Sequence, residues 1–340
     1  QGPLHYKIEC ISGLLGVSNY ITFLQIKIIA SQIILVLVYK ILKNSVPQNV
    51  ALSVIIFLFL NPYLIISSRN ISSVYNYEFF MIIFLILFIN RKKSKSFSFF
   101  YGLISSLSFA IYFPYIIYYS VLNFVFVLKD RFKNFKSIVI GYFFGIVINI
   151  ILYLPVRDVL TLSSLNKSNS WGLSSYWRLM VQFISGSSLQ NKINSSFDKN
   201  LLNFEFPLNE WFYQINNTLI MGLLIFGIYR LIINLYKSLL DDFDIAFLSI
   251  VIIGGLLFTL LDRALYPHYY FFITVFLYVF ILKSIKHSLS LALITFTFAI
   301  SSIFIVTNFH SYIEQYNGAS TSDYGKHFNS CGSFEEDARV

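Results

Sequence analysis

The amino-acid sequence predicts an all-α integral membrane protein with about ten transmembrane helices. Hydrophobic residues make up 56% of its 340 residues and charged residues only 12%, whereas a soluble domain carries roughly 25% charge. The mean hydropathy is +0.69. Because a globule in water cannot bury this much apolar surface, lipid must surround most of the chain.

Charge-free runs locate the predicted spans, since a helix needs about 20 mostly apolar residues to cross the hydrocarbon layer. The spans in chain order are 20–43, 44–68, 73–90, a pair within 96–128, 137–156, 211–229, 245–261, 264–282 and 288–313. The run 96–128 is too long for one span, and basic clusters flank it on both sides. If both clusters face the same side, the chain crosses an even number of times between them. This predicts a tight hairpin that turns near Pro114.

The distribution of basic residues predicts the orientation. Alternate short loops and span ends hold Lys40, Lys43, Arg91, Lys92, Lys93, Lys95, Lys129, Arg131, Lys133, Lys136, Arg230, Lys237, Lys283 and Lys286. The short loops of the opposite side hold only Arg69 and Arg263. Because short loops rich in Lys and Arg face the cytoplasm, the first set is predicted to be cytoplasmic. Most acidic residues and histidines then fall outside, where we expect any site.

The predicted organisation is one polytopic domain over residues 1–313, with an outer loop at about 157–210, followed by a short extracytoplasmic tail at 314–340. Within the loop, the amphipathic spacing of 175–184 (SYWRLMVQFI) predicts a helix that lies in the membrane interface. Residues 202–213 interleave acidic and aromatic side chains and lead back towards the bilayer. An interfacial aromatic belt is the alternative interpretation of both stretches.

Ionisable residues at membrane depth are candidate site residues, because burying them in lipid is costly unless they face protein or water. Lys27 lies in the first predicted span, and Glu78 lies near the outer end of the third. The two either pair with each other or reach the headgroups by snorkelling. Arg69 precedes Glu78 in a polar segment, which favours a site at Glu78.

The segment 261–270 (LDRALYPHYY) is denser in polar and aromatic residues. Arg263 and His268 lie at the outer start of a predicted helix, and Pro267 suits a first helical turn because its missing N–H costs nothing there. A helix N-terminus with cations nearby favours an anion such as phosphate. A belt of interfacial tyrosines with an incidental ion pair is the alternative.

Several common classes of site are excluded by the sequence. It contains no phosphate-binding glycine-rich loop, no HExxH and no Cys/His spacing typical of a metal site. Its two cysteines, Cys10 and Cys331, rule out a disulfide-rich scaffold and a Cys-based zinc site. The net charge of +9 follows from the cytoplasmic loops, so we expect no nucleic-acid partner.

Three segments, in order along the chain, resemble the GT-C fold glycosyltransferases, specifically the bacterial relatives of protein O-mannosyltransferases and the lipid A aminoarabinose transferase. Residues 1–6 (QGPLHY) are similar to the end of that family's first large periplasmic loop. Residues 61–76 (NPYLIISSRNISSVYN) resemble its loop between the next spans, and 266–276 (YPHYYFFITVF) its entry into a late helix. The tail at 316–328 also resembles the endings of some bacterial members.

The resemblance implies a GT-C-like membrane core with periplasmic juxtamembrane helices and a glycosyltransferase activity. Such enzymes move a sugar from a polyprenyl-phosphate carrier to a glycan, lipid or protein acceptor at the outer face. It implies a multi-pass protein of the bacterial inner membrane with its site facing the periplasm. No cofactor is required by the motifs, and a divalent cation is the one candidate.

The resemblance also assigns roles to individual residues. Glu78 would be the catalytic carboxylate, because an acceptor hydroxyl needs a general base. The lipid phosphate needs cations as it leaves; its ligands would be Arg69, Arg263 and His268, with Tyr269. Lys27, His5 and Tyr6 would line the same cavity.

Two departures from the family pattern stand out. The family's acidic catalytic residue lies upstream of the stretch that 1–6 matches, so we expect this chain to be truncated at its N-terminus and to lack that group. Some relatives also carry an Asp shortly after the Arg matched by Arg69, where this chain has Ser72, Ser73 and Val74. Either Glu78 substitutes for that Asp, or the group is not used.

Two other functions fit the same composition. A transporter or flippase of a lipid-linked or anionic solute would show broken helices near mid-membrane, and Gly254–Gly255 is the best such break, with no counterpart in the other half. A polysaccharide polymerase or ligase of the O-antigen type would concentrate Arg in its large outer loop, which here holds only Arg157 and Arg178.

Overall fold

The computed structural model describes residues 20–68, 77–111, 113–153, 173–186, 207–260, 270 and 273–315. Within these ranges the chain forms helices and short turns, and no β-strand. In chain order the helices are α1 (Tyr20–Leu42), α2 (Gln48–Leu60), α3 (Pro62–Ser68), α4 (Tyr77–Asn90), α5 (Lys95–Ile111), α6 (Phe113–Lys129), α7 (Phe135–Tyr153), α8 (Leu173–Ser185), α9 (Pro207–Tyr236), α10 (Asp242–Leu248), α11 (Gly255–Leu260), α12 (Thr274–Leu282) and α13 (Ser288–Gln315). A π-helical segment, Ser249–Gly254, joins α10 to α11.

The predicted all-helical membrane class is confirmed. Four helical stretches in the described ranges are long and apolar enough to cross a membrane: Phe135–Leu152, Trp211–Tyr236, Asp242–Leu260 and Ser288–Asn308. Shorter apolar helical stretches are Ile29–Leu42, Gln48–Leu60, Met81–Asn90 and Tyr115–Lys129. The figure of ten spans stays a prediction.

The run 96–128 forms two helices, α5 and α6, which break between Ile111 and Phe113. Beyond α4, Arg91 pairs with Asp130 beyond α6 (Nε to Oδ2, 2.9 Å). The Ser98 hydroxyl, in the first turn of α5, donates to the Arg91 carbonyl at 2.6 Å. The start of α5 therefore lies beside the end of α6, which is the arrangement that the hairpin prediction requires.

The predicted span 44–68 is two helices. α2 ends at Leu60, and Asn61 adopts an extended backbone (φ −60°, ψ 119°) before Pro62 begins α3. The residue before a proline avoids the helical region because the proline ring crowds its backbone. The break leaves the buried Asn61 at the start of α3, where its Oδ1 accepts from the Leu64 backbone N–H at 3.0 Å.

α5 and α7 pack with their backbones almost in contact. A Cβ atom on Gly102 would lie 2.1 Å from the carbonyl oxygen of Ile138, and one on Gly141 would lie 2.0 Å from that of Phe99. No other residue type fits at either position. Glycine allows this approach because it has no side chain, as in other closely packed membrane helices.

The same interface continues one turn further. A Cβ atom on Gly145 would meet Ser106 Cβ at 2.6 Å, and the Asn149 amide donates to the Ser106 carbonyl at 2.8 Å. Gly141 and Gly145 form a Gly-xxx-Gly motif, which was not among our predictions. Because the contacts advance together along both helices, α5 and α7 run parallel.

The core is centred on α12, all nine residues of which are buried. Aromatic rings from surrounding helices pack on it: Phe247 stacks on Phe280 with centroids 3.6 Å apart, and Phe57 meets Tyr278 edge to face at 5.2 Å. By contrast, α7, α9 and α13 carry large exposed apolar side chains along their outer faces. Those faces suit contact with lipid.

Candidate functional site

At one end of the bundle, α8 packs its apolar face against the other helices. Apolar residues recur at helical spacing along it, and Tyr176, Met180 and Phe183 are fully buried. Arg178 lies on the exposed face. The helix predicted in the outer loop is therefore present, but its apolar face is buried in protein rather than left for lipid.

Side chains from distant helices satisfy the C-terminal carbonyls of α8. The Asn61 amide donates to the carbonyls of Phe183 (3.2 Å) and Ile184 (3.1 Å). The Tyr278 hydroxyl, from α12, donates to the Ile184 carbonyl at 3.0 Å, and it lies 2.6 Å from the Asn61 amide. The last carbonyls of a helix have no partner within it, so these contacts fix the position of α8.

Two further contacts lock the same end. The Asn216 amide of α9 donates to the Ser185 carbonyl at 3.2 Å. Gly186 follows with φ +78°, the left-handed conformation in which helices commonly end and which glycine adopts without strain. A Cβ atom there would lie 2.6 Å from Cγ of Pro62, so α8 ends directly against the break between α2 and α3.

The other end of α8 contacts the π-helical segment. The Tyr176 hydroxyl donates to the carbonyl of Ile250, within that segment, at 3.2 Å, and lies 3.3 Å from the hydroxyl of Tyr118. The Tyr270 hydroxyl donates to the Tyr176 carbonyl at 2.7 Å. Single π-helical turns occur often at functional sites, so the junction of α8 with this segment marks a candidate site.

Most of the predicted site residues lie outside the described residues. These are His5, Tyr6, Arg69, Arg263, His268 and Tyr269. Lys27 is in α1 and Glu78 is the second residue of α4, but the side chains of both also lie outside what the structure describes. Contacts among these residues stay a prediction.

Two described residues close to these segments in sequence pack on the same ring of α8. Tyr63 of α3 is six residues before Arg69, and Tyr270 is two residues after His268. Both rings pack on Phe183, with centroid distances of 5.3 Å from Tyr63 and 6.1 Å from Tyr270. Two segments that carry predicted site residues therefore each have a described neighbour packed on Phe183 of α8.

Buried polar residues of this region were not among the predicted site residues. Asn61, Tyr176 and Tyr278 are almost completely buried in apolar surroundings. Such groups need partners, because an unsatisfied polar group in lipid or protein costs several kcal/mol. The signal in the sequence was an Asn directly before a Pro within an apolar run, which marks both a helix break and a freed amide.

A second polar cluster lies at the start of α10, the end that is remote from the π-helical segment. We call it the charge network, and it consists of Arg91, Lys92, Lys129, Asp130, Arg230, Asp241, Asp242, Asp244 and Lys283. Its first half centres on Arg91, whose side chain is 2% exposed. The guanidinium pairs with Asp130 and with Asp242 (Nη2 to Oδ2, 2.8 Å) and lies 4.2 Å from the centroid of the Phe126 ring. Lys129 also binds Asp242, at 2.5 Å.

The second half of the charge network centres on Asp244, which is 1% exposed. Its carboxylate binds Lys283 of the α12–α13 turn at 2.7 Å and Arg230 of α9 at 2.5 Å. Lys283 also binds Asp241, whose carboxylate caps α10 by accepting from the Asp244 backbone N–H at 2.9 Å. The start of α10 is therefore joined by ion pairs to α9 and to the turn between α12 and α13.

Among the described residues, no group of three or more His, Cys, Asp or Glu side chains could hold a metal ion. Comparison with known proteins gives no family for the chain. No family model matches it, and neither a curated protein nor a solved structure does.

Proposed function

We propose that the protein is a glycosyltransferase that moves a sugar from a polyprenyl-phosphate carrier to an acceptor at the outer face of a bacterial inner membrane. The observation that carries the proposal is the packing of Tyr63 and Tyr270 on Phe183 of α8. Tyr63 is close in sequence to Arg69 and Tyr270 is close to His268, so residues near both predicted phosphate ligands pack on one helix. These are two of the three segments on which the glycosyltransferase resemblance rests.

The proposed chemistry divides between two kinds of residue. Arg263, His268 and Arg69, with Tyr269, stabilise the lipid phosphate as it leaves, because fixed cations offset the charge that develops there. Glu78 accepts the proton of the acceptor hydroxyl. Glycan, lipid and protein acceptors all carry hydroxyls that suit this role.

The charge network supports a site at the α8 end. Its four aspartates all have cationic partners: Asp130 and Asp242 with Arg91, and Asp241 and Asp244 with Lys283. These ion pairs occupy the carboxylates and join separate helices, so the four aspartates serve the packing of the bundle. The catalytic carboxylate is therefore expected elsewhere in the chain.

The test uses the protein as the cell expresses it, reconstituted in liposomes with a polyprenyl-phosphate sugar. We expect R263A and H268A each to lower sugar transfer by about 100-fold, the typical effect of removing one group that stabilises transition-state charge. The control is K237A, an exposed lysine at the C-terminus of α9, which should retain activity. Undiminished transfer in both site variants removes them from the phosphate role, and absence of transfer by the unmodified protein contradicts the enzyme proposal.

A second candidate function is transport of a lipid-linked or anionic solute. The π-helical segment ends at Gly254, immediately before Gly255, and so interrupts the helical stretch Asp242–Leu260. Transporters bind their solutes at such interruptions. Uptake or flipping of the same lipid-linked sugar by proteoliposomes, without transfer to any acceptor, would favour this function over the enzyme.

A further inference from the structure

A surface at the end of the bundle that carries the charge network is basic, aromatic and exposed. We call it the basic surface. It consists of five exposed cations, Lys93, Lys95, Arg131, Lys133 and Lys136, and two exposed rings, Phe132 and Phe135. It draws on the turn between α4 and α5 and on the turn between α6 and α7.

The contacts of the charge network hold these two turns together. Asp130 binds Arg91 and also Lys92, whose Nζ lies 2.7 Å from Oδ1. α5 and α7 start at the same end and run parallel, with Gly102 against the Ile138 carbonyl. The two turns therefore present their cations on one surface.

The cations of the basic surface lack acidic neighbours. Asp130, the acidic residue closest in sequence, pairs with Arg91 and Lys92, and Asp242 pairs with Arg91 and Lys129. Among the described residues, none of the five cations has a carboxylate within ion-pair distance. The surface consequently carries a net positive charge that the described carboxylates do not neutralise.

The turn that carries the two rings has an unusual backbone. Arg131, Phe132 and Asn134 have φ values of 51°, 59° and 59°, a left-handed conformation that is costly for residues with large side chains. The Phe132 N–H donates to the Val127 carbonyl at 2.9 Å, which supports the turn. Phe132 and Phe135 are 57% and 41% exposed, with ring centroids 5.7 Å apart.

We propose that the basic surface binds the headgroups of anionic phospholipids in the adjacent leaflet. Clusters of Lys and Arg directly beside membrane-spanning helices attract anionic lipid, with a contribution of about fivefold in affinity from each cation near the surface. Exposed aromatic rings enter the boundary between headgroups and chains, where apolar area is buried. Phe132 and Phe135 interleave with three of the cations, so one surface supplies both contributions.

The test titrates the full chain, in micelles of a neutral detergent, with short-chain phosphatidylglycerol or phosphatidylcholine, and counts bound lipids by native mass spectrometry. We expect phosphatidylglycerol to bind at least tenfold more tightly than phosphatidylcholine. The triple variant R131S/K133S/K136S should lose this preference. F132S/F135S should weaken both lipids by a similar factor.

The matched control is K40S/K43S/K237S, which removes three exposed lysines from the loops assigned to the same side. It should keep the preference for phosphatidylglycerol within about twofold, because the proposal assigns binding to the basic surface and not to total charge. Equal binding of the two lipids by the unmodified chain would overturn the proposal, as would equal loss in both triple variants. Binding of an acidic peptide in place of the lipid would identify a protein docking surface instead.

Discussion

At the residue scale, Arg91 shows how this protein tolerates a buried charge. Its guanidinium is 2% exposed and meets two carboxylates, the Phe88 carbonyl (2.8 Å) and two aromatic rings. Taking such a charge out of water costs several kcal/mol, which only complete pairing can offset. The planar fork of Arg reaches both carboxylates at once, and the ammonium of Lys cannot reproduce that geometry.

We therefore expect R91A to destabilise the protein by about 3–5 kcal/mol, because it removes one partner from the Asp130 side chain, which is 7% exposed, and one from the half-buried Asp242. R91K should recover only part of this loss. Thermal unfolding in neutral detergent measures both effects, with K93A as the exposed control. Equal unfolding temperatures for R91A and K93A would show that the buried pairing contributes nothing to stability.

The Asn61 side chain gives a second prediction at this scale. N61L removes the donor to two carbonyls of α8 and should cost about 1–3 kcal/mol, the penalty for buried acceptors left unsatisfied. Y278F removes one donor to Ile184 and should cost less. The measurement is the rate of backbone amide hydrogen exchange in α8, which should be faster in N61L because that helix should open more readily. Unchanged exchange would mean that apolar packing alone holds α8.

At the scale of elements, the α5–α7 interface depends on glycines, which have no side chain to separate the two backbones. Gly102 and Gly141 let the two backbones touch, and Gly145 extends the contact. Hydropathy along α7 gives no hint of this, because its sequence is almost uniformly apolar. The spacing of its glycines is the informative feature.

G141L should prevent the normal packing of α5 on α7, because its side chain would have to occupy the place of the Phe99 carbonyl. The matched control is G222L on α9, where a Cβ atom meets nothing within 4 Å and the change should stay within about 0.5 kcal/mol. Yield of monodisperse protein and its unfolding temperature distinguish the two. Similar behaviour of both variants would contradict the close packing.

At the scale of the whole molecule, the charge network joins loops that are far apart in sequence. Arg91, Asp130, Asp242 and Lys283 meet at one end of the bundle, so the loops that carry them share one side of the membrane. Their excess of Lys and Arg predicts that this side is cytoplasmic. Topology reporters fused after Lys95, Lys133, Ser238 and Lys286 should therefore give the same reading, and we expect it to be cytoplasmic. A periplasmic reading after Lys95 would overturn the orientation.

Local features of the sequence predicted much of this architecture. Apolar runs located the helices, and the two basic clusters predicted that α5 and α6 form a hairpin. The partner of each polar group could not be predicted, since the Asn61 amide finds its acceptors more than 120 residues away. The helix break before Pro62 could have been predicted from the Asn-Pro pair, but the contacts of Asn61 with α8 could not. The contacts of Arg69, Glu78, Arg263 and His268 stay predictions.

The burial of α12 has a consequence for how the protein is made. Nine helical residues rise only about 14 Å, and each of them contacts protein rather than lipid. We therefore expect α12 to reach its buried position only when the surrounding helices assemble around it. The Tyr278 hydroxyl can donate to the Ile184 carbonyl only when α8 is in place. The contact between α12 and α8 is therefore expected to form late in the assembly of the protein.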